Sequence, residues 1–491
     1  MLMMTRDVYL DHNATTPLDP EVRKAMARAL ERTWGNPSSL HRHGRAARGA
    51  VEDARLIIAS TLGCEPRQLY FTSGGTEGNN TVLKGVFAAA GAGHIITTAI
   101  EHDSVLGACQ QIEALGGRIT RIHAQPDGRV RPQHITDALT DDTLLISVMH
   151  ANNETGAIQP LAEIAHIARL ANVPLHADAV QTFGKLPFDV DQLGVEFLTL
   201  SAHKINGPKG AGALFWRGNT PWHPLLFGGG QELHLRAGTE GIHQIVGLGK
   251  ACELAVQKRA SEAARLADLR HTFLDDLRRL APDLRVNEAS PPFQLASTLN
   301  LTFPGRDGIR LLAGLDCYEI SVSIGSACTA EQIVPSHVLI GMGMPAAEAL
   351  SSIRISMGRT TTRADLRYTI KAFERVLESD PAGFSYLDAE HLDAARIRSD
   401  ATWLIDLRLP HERLLDATIP GATELSYLGF DRAIKRIPRD REVILLCDSG
   451  QISTAAGYRL AMAGHPNVRA VFGGYQAWRG RYPQLLEELR R

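Results

Sequence analysis

Short apolar runs separated by longer segments of helical spacing set the rhythm of residues 1–375. The runs at 68–72, 94–98, 144–149 and 197–200 are brief and rich in apolar and β-branched residues, and each predicts a buried strand. Between them, 20–33 and 161–171 repeat apolar residues at helical spacing. Residues 253–279 are rich in Ala, Leu, Glu and Arg and predict one long helix, bridging a large lobe to a smaller one. This alternation predicts an α/β fold with a largely parallel or mixed sheet. At 378–384 the sequence ESDPAGF carries the Pro and Gly punctuation of a linker. A second α/β pattern follows it. Strands are predicted at 402–407 and 442–446, and a helix at 453–463. The chain therefore divides into 1–378, a linker at 379–383, and 384–491, each part large enough for its own core.

Composition narrows the function classes. The 491 residues carry a formal charge of −2, with 44% hydrophobic and 22% charged residues. That balance points to no direct nucleic-acid partner and no membrane surface. The start, MLMMTRDVYLDHNATT, has no long apolar run and reads as no export signal, and no stretch of about 18 apolar residues predicts a membrane span. Six cysteines lie far apart, at 64, 109, 252, 317, 328 and 447. Without an export signal they read as reduced thiols of a cytoplasmic protein. There is no CxxC pair or HExxH motif, so no metal site is indicated.

The segment SAHKINGPKG (201–210) directly follows the apolar run 195–200, which places Lys204 at a strand end. A lysine there suits a Schiff base with an aldehyde cofactor, and Ser201 and His203 suit hydrogen bonds to a phosphate. Taken alone, the segment is also that of a solvated surface loop. Its companions change the balance. FTSGGTEGNN (71–80) puts Gly75 and Thr76 in a glycine-rich turn before a helix, where backbone N–H groups cradle phosphate. HADAVQ (176–181) puts Asp178 where a carboxylate would keep a pyridine nitrogen protonated, although a helix cap has the same signature. His102, in EHDSV, suits stacking on an aromatic ring.

Taken in order, YLDHNATT (9–16), GNPSS (35–39), FTSGGTEGNN, EHDSV (101–105), NNETGAIQP (152–160), DAVQTFGK (178–185), SAHKINGPKG, RAGTE (236–240), GSACT (325–329), PSHVL (335–339) and RISMGRTTT (354–362) resemble the NifS/IscS-type cysteine desulfurases, class-V aminotransferase-like proteins of pyridoxal-phosphate fold type I. The resemblance implies pyridoxal 5'-phosphate on Lys204, Asp178 at its ring nitrogen, Gln181 at its ring hydroxyl and His102 stacked on the ring. Its phosphate would meet Gly75, Thr76, Ser201 and His203, with Thr239 arriving from a second subunit of a homodimer. Asn153 and Arg354 would face the substrate, Arg354 clasping its carboxylate. Gly241 stands where many members have Asn.

Two cysteines carry the remaining chemistry. Cys328 lies among small and polar residues in SIGSACTAEQIVPSH (323–337) and reads as a thiolate nucleophile on an exposed loop. The resemblance implies that it takes the substrate sulfur as a persulfide, leaving alanine, and that the sulfur passes to an acceptor such as an iron–sulfur scaffold or a sulfur carrier. A related aminotransferase or lyase would not need that loop. Cys447, in CDSGQIS (447–453), follows a strand and opens a helix whose N–H groups would stabilise a sulfur anion. With LIDLR (404–408), IPGA (419–422) and FGGYQAW (472–478), it resembles a single rhodanese domain. Two departures are Ile452, where Arg is usual, and Thr418, where His often precedes the IPG segment. The pocket thereby loses a cation, which predicts weak reactivity toward thiosulfate. Two readings of this domain follow: a sulfur relay through Cys447, or a non-catalytic docking module for the acceptor.

Overall fold

Seven of the strands come together in one sheet. The structure, a computed structural model, describes residues 6–325, 334–378, 381–416 and 418–485. After β1 (Val8–Tyr9) the chain forms β2 (Leu69–Thr72), β3 (His94–Thr98), β4 (Arg118–Ile122), β5 (Thr143–Ser147), β6 (Leu175–Asp178), β7 (Phe197–Ser201) and β8 (Gly212–Trp216). Their spatial order is β2-β8-β7-β6-β5-β3-β4. All neighbours are parallel except around β8, which runs antiparallel to β2 and β7. Strands β3, β6 and β7 are buried at every position, as expected of parallel strands covered on both faces. The parallel strands end at one edge, where an open α/β sheet binds its ligands.

The bridging helix is longer than its composition predicts, running from Ile242 to Leu280. Its first turns hold Gly247 and Gly249, which disguise the helical pattern. They are there for packing. A methyl group at Gly247 would lie 2.9 Å from Met26 and Pro208, and one at Gly249 would lie 2.9 Å from Ala54.

The small lobe follows. Strands β9 (Arg285–Val286) and β10 (Thr298–Thr302) pair antiparallel. Next come β11 (Ile320–Ser321), parallel to β1, and β12 (Ser352–Ser356), antiparallel to β10. Val8 and Leu10 thus belong to the small-lobe core, with Phe273, Leu301 and Phe373. Residues 11–16 leave that core and reach the site on the large sheet, with the Asn13 side chain donating to Asn153 O and Thr298 Oγ1.

A five-stranded, wholly parallel sheet completes the fold. It contains β13 (Phe384–Leu387), β14 (Thr402–Asp406), β15 (Thr423–Glu424), β16 (Glu442–Leu446) and β17 (Val468–Val471), in the order β13-β17-β16-β14-β15. One face buries Val443, Leu445 and Val468 under Phe430 and Tyr458, and the other buries Ile444, Leu446 and Val471 under Tyr475 and Trp478. This sheet is packed onto the small lobe. Ala313, on the helix Gly308–Asp316, enters its core. Tyr386 donates its hydroxyl to Asp307 (2.6 Å), Arg310 lies 4.7 Å over the Tyr386 ring, and Arg459 holds Asp316 (2.8 Å).

Candidate active site

A cavity of about 250 Å³ opens where β6 and β7 end, and most of the residues singled out from sequence line it: Gly75, Thr76, His102, Asn153, Asp178, Gln181, Ser201, His203 and Lys204. Local structure explains each placement. Gly75 begins the helix Gly75–Ala90 right after β2, and any side chain there would strike Val180 (Cβ to Cγ2 2.8 Å), so backbone alone fills this corner. Asp178 ends β6 and Ser201 ends β7. His102 caps the helix Asp103–Ala114, its Nδ1 accepting from Ser104 N (3.1 Å), so a neutral ring carries its proton on Nε2.

The hydrogen bonds fix what these groups can do. The buried Asp178 carboxylate accepts from Asn79 Nδ2 (2.7 Å) on one oxygen and from Val180 N (2.9 Å) on the other. Lys204 Nζ donates to the carbonyls of Asn13 (2.5 Å) and Ala14 (2.8 Å). Gln181 donates to the same Asn13 carbonyl (3.0 Å). Burial, with the nearby Lys204 charge, pushes the His203 pKa down to about 4, so this ring is neutral at pH 7. Ser201 Oγ and Asn153 Oδ1 are buried and have no partner among the described residues. Arg354 is engaged: Nη2 donates to Asp11 (2.6 Å) and Nη1 to Asn153 O (3.2 Å), while Nε is buried and has no partner among the described residues.

Two predicted residues stand apart. Thr239 is exposed and is not among the residues lining the cavity. Cys328 lies outside the described residues. The sequence reading left Asn79 and Asn13 without roles, although both lie inside motifs it quoted. Their signal was an amide among glycines and small polar residues, which names no partner by itself.

The second thiol has the predicted donors and an unpredicted burial. Cys447 Sγ accepts from the N–H groups of Gly450 and Ser453, both at 3.2 Å, at the start of the helix Gln451–Met462. The residue is only 1% exposed, and burial outweighs those donors, so the thiol pKa is raised. The donors that would stabilise an anion are in place, while desolvation acts in the opposite direction and favours the neutral thiol. Ile452, in the same loop, is exposed. Cys109 and Cys252 are buried, and burial pushes their thiols up to about 12 and about 11.

Comparison with known proteins identifies the family. The sequence profile of the family Aminotransferase class-V matches residues 8–368, and that of the Rhodanese-like domain matches 388–481. "Cysteine desulfurase IscS" of Dictyoglomus turgidum is 45% identical over 377 residues, covering 76% of this chain and 95% of its own. "IscS-like cysteine desulfurase" of Mycobacterium tuberculosis is 42% identical, covering 73% and 93%. Among solved structures, a "NIFS-LIKE PROTEIN" superposes with a TM-score of 0.72 at 35% identity, covering 76% of this chain and all of its own. "SspA in complex with cysteine" superposes with a TM-score of 0.64 at 36% identity, covering 71% and 98%. The chain belongs to the class-V aminotransferase family, among the cysteine desulfurases of the IscS and NifS kind, and carries a rhodanese-like domain after that unit.

Proposed function

We propose that this enzyme converts L-cysteine to L-alanine, with pyridoxal 5'-phosphate held on Lys204 and the sulfur atom taken by Cys328. The observation that carries the reading is the placement of an amine, a clamped carboxylate and buried unpartnered polar atoms around one cavity. Lys204 supplies the amine. Asp178, held by Asn79 and Val180 N–H, suits a protonated pyridine nitrogen. Ser201 Oγ is a buried donor that meets no acceptor among the described residues, and Gly75 beside it opens a helix whose backbone N–H groups suit a phosphate. The cofactor supplies an electron sink for the substrate α-carbon.

This chain's residues do the rest. Arg354 binds the substrate carboxylate through its remaining donors, and Asn153 orients the substrate. Lys204 takes the α-proton. The Cys328 thiolate attacks the substrate sulfur: an S–S bond forms, the carbon–sulfur bond breaks with its electrons left on the three-carbon fragment, and a proton at its β-carbon with return of the α-proton from Lys204 gives alanine. The solved structure of SspA is a complex with cysteine, which supports the same substrate here. The enzyme works as a cytoplasmic homodimer, with Thr239 completing the partner's phosphate site. Its units divide at 379–383. Among the described residues no helix is long and apolar enough to cross a membrane.

The persulfide sulfur then passes to Cys447 and on to an acceptor protein, an iron–sulfur scaffold or a sulfur carrier. The two N–H donors aimed at Cys447 Sγ support this relay. The burial of that thiol favours the second reading, a docking module, and means that the loop must open for transfer. Single turnover with labelled cysteine separates them. In the relay, label appears on Cys328 first and on Cys447 later. If Cys447 never carries label with any acceptor, the domain docks and does not relay.

A further inference from the structure

A second cavity, of about 190 Å³, shares Lys204 with the first but none of its other lining residues. Lys185, the last residue of DAVQTFGK, lies in its wall, as does His12. His12 is buried. Lys185 Nζ donates to Gln181 Oε1 (3.2 Å). Gln181 Nε2 donates to Asn13 O, which Lys204 Nζ also reaches. A carbonyl only accepts, so the amide nitrogen of Gln181 must face Asn13 and its oxygen must face Lys185. The two lysines are thus joined through one carboxamide and one carbonyl.

The surroundings of Lys185 are basic. Lys204, Arg354, His12, Lys258, Arg259 and Arg359 face it or line the same cavity. The acid in that lining, Glu262, is paired with Arg265 (2.8 Å), and Lys258 and Arg359 face Asp19. Among the described residues no carboxylate lies within 4.0 Å of Lys185 Nζ. Burial and the charges of Lys204 and Arg354 push the Lys185 pKa down to about 7.

We infer that Lys185 is a positioning residue for the desulfurase site: it fixes the Gln181 carboxamide and, as a second amine coupled to Lys204, lowers the proton affinity of the nitrogen at position 204. The inference rests on Lys204 being the cofactor lysine. A nitrogen that is to take a proton from substrate carbon must start unprotonated, and a neighbouring amine favours that state while it carries its own proton, which Lys185 does below about pH 7.

The test is a pH titration of the bound cofactor's visible absorption band in the full-length holoenzyme, compared with Lys185→Met and Lys185→Arg. The Met variant should move the midpoint upward by about one pH unit, a tenfold gain in proton affinity. The Arg variant keeps the charge and should titrate at or below the wild type. The cofactor-free proteins give an independent readout: acetylation of Lys204 by acetic anhydride across the same pH range, followed by mass spectrometry, should shift the same way. If Lys185→Met folds poorly, Lys185→Gln replaces it. Coincident midpoints in wild type and charge-free variants overturn the inference. A wild-type protein without a band that Lys204→Ala removes overturns the cofactor assignment instead, and the acetylation profile still reports the coupling of the two amines.

Discussion

Replacing Arg459 by Met tests whether the rhodanese-like unit is fixed to the small lobe or merely linked to it. The guanidinium lies 2.8 Å from Asp316 of the small lobe and 2.7 Å from Asp431 of its own unit. The Asp431 side chain is 65% exposed, so that pair contributes at most about 0.5 kcal/mol. Asp316 is more shielded, at 40%, and burial holds its carboxyl above the usual carboxylate range while Arg459 offsets part of the cost. A partly exposed pair of this kind contributes about 1 kcal/mol, well below the bare Coulomb energy, because solvent screens it and two long side chains are ordered. Met retains much of the aliphatic packing, so the loss is mainly of charge. A double-mutant cycle with Asp316→Asn isolates the pair, and we expect a coupling of about 1 kcal/mol, roughly fivefold in the docking equilibrium. Limited proteolysis within 379–383 reads that equilibrium when opening is fast relative to cleavage, so cleavage of Arg459→Met should quicken about fivefold. A coupling below about 0.3 kcal/mol with unchanged cleavage would refute the reasoning.

Cys328→Ser should still bind cysteine and change the cofactor spectrum while forming alanine at least about a hundredfold more slowly; undiminished alanine removes the nucleophile role. Cys447→Ser should leave alanine formation nearly intact and slow delivery to the acceptor, and unchanged delivery with every candidate acceptor counts against the relay. Ile452→Arg should raise sulfur transfer from thiosulfate to cyanide about tenfold by restoring a cation near Cys447, and no gain would show that charge is not what limits that reaction. His176 is fully buried between Ser147 Oγ (2.8 Å) and Thr199 Oγ1 (3.0 Å), and burial pushes its pKa down to about 3. The unfolded ring titrates near 6.5, so the unfolded chain binds the extra proton. This stabilising contribution is full above pH 6.5 and is lost as the pH falls toward 3. His176→Gln should therefore flatten the slope of stability against pH by about 1.4 kcal/mol per unit between pH 6 and 4, measured by denaturant unfolding. An unchanged slope shows that the ring is not held neutral.

The site was legible where chemistry sits at the end of an apolar run. Ser201 ends β7 with His203 and Lys204 just after it, Asp178 ends β6, and the glycine-rich turn follows β2, so a period change in the sequence marks each functional loop. In the second unit β14 and β16 were legible for the same reason, being largely apolar runs, whereas β13, β15 and β17 carry polar or charged residues and were not. What stayed hidden depends on residues far apart in the chain. Asn13 meets Lys204 across 191 positions because β1 pairs with β11 in the small lobe and carries the following residues over the large sheet. Asp307, Arg310 and Asp316 look like an ordinary solvated helix face in sequence, yet they receive Tyr386 and Arg459 of the other unit. The start of the long helix was missed because Gly247 and Gly249 lower helix propensity, and only the neighbouring chain explains why nothing larger fits there.

Cys447 shows the division most clearly. The sequence by itself determined that backbone N–H groups would point at its sulfur, since a strand, a glycine turn and a helix start require it. Tertiary packing decided that the thiol is buried, because desolvation depends on what the rest of the chain places around the loop. The local dipoles were written in seven residues; the medium that sets their effect is assembled from the whole domain.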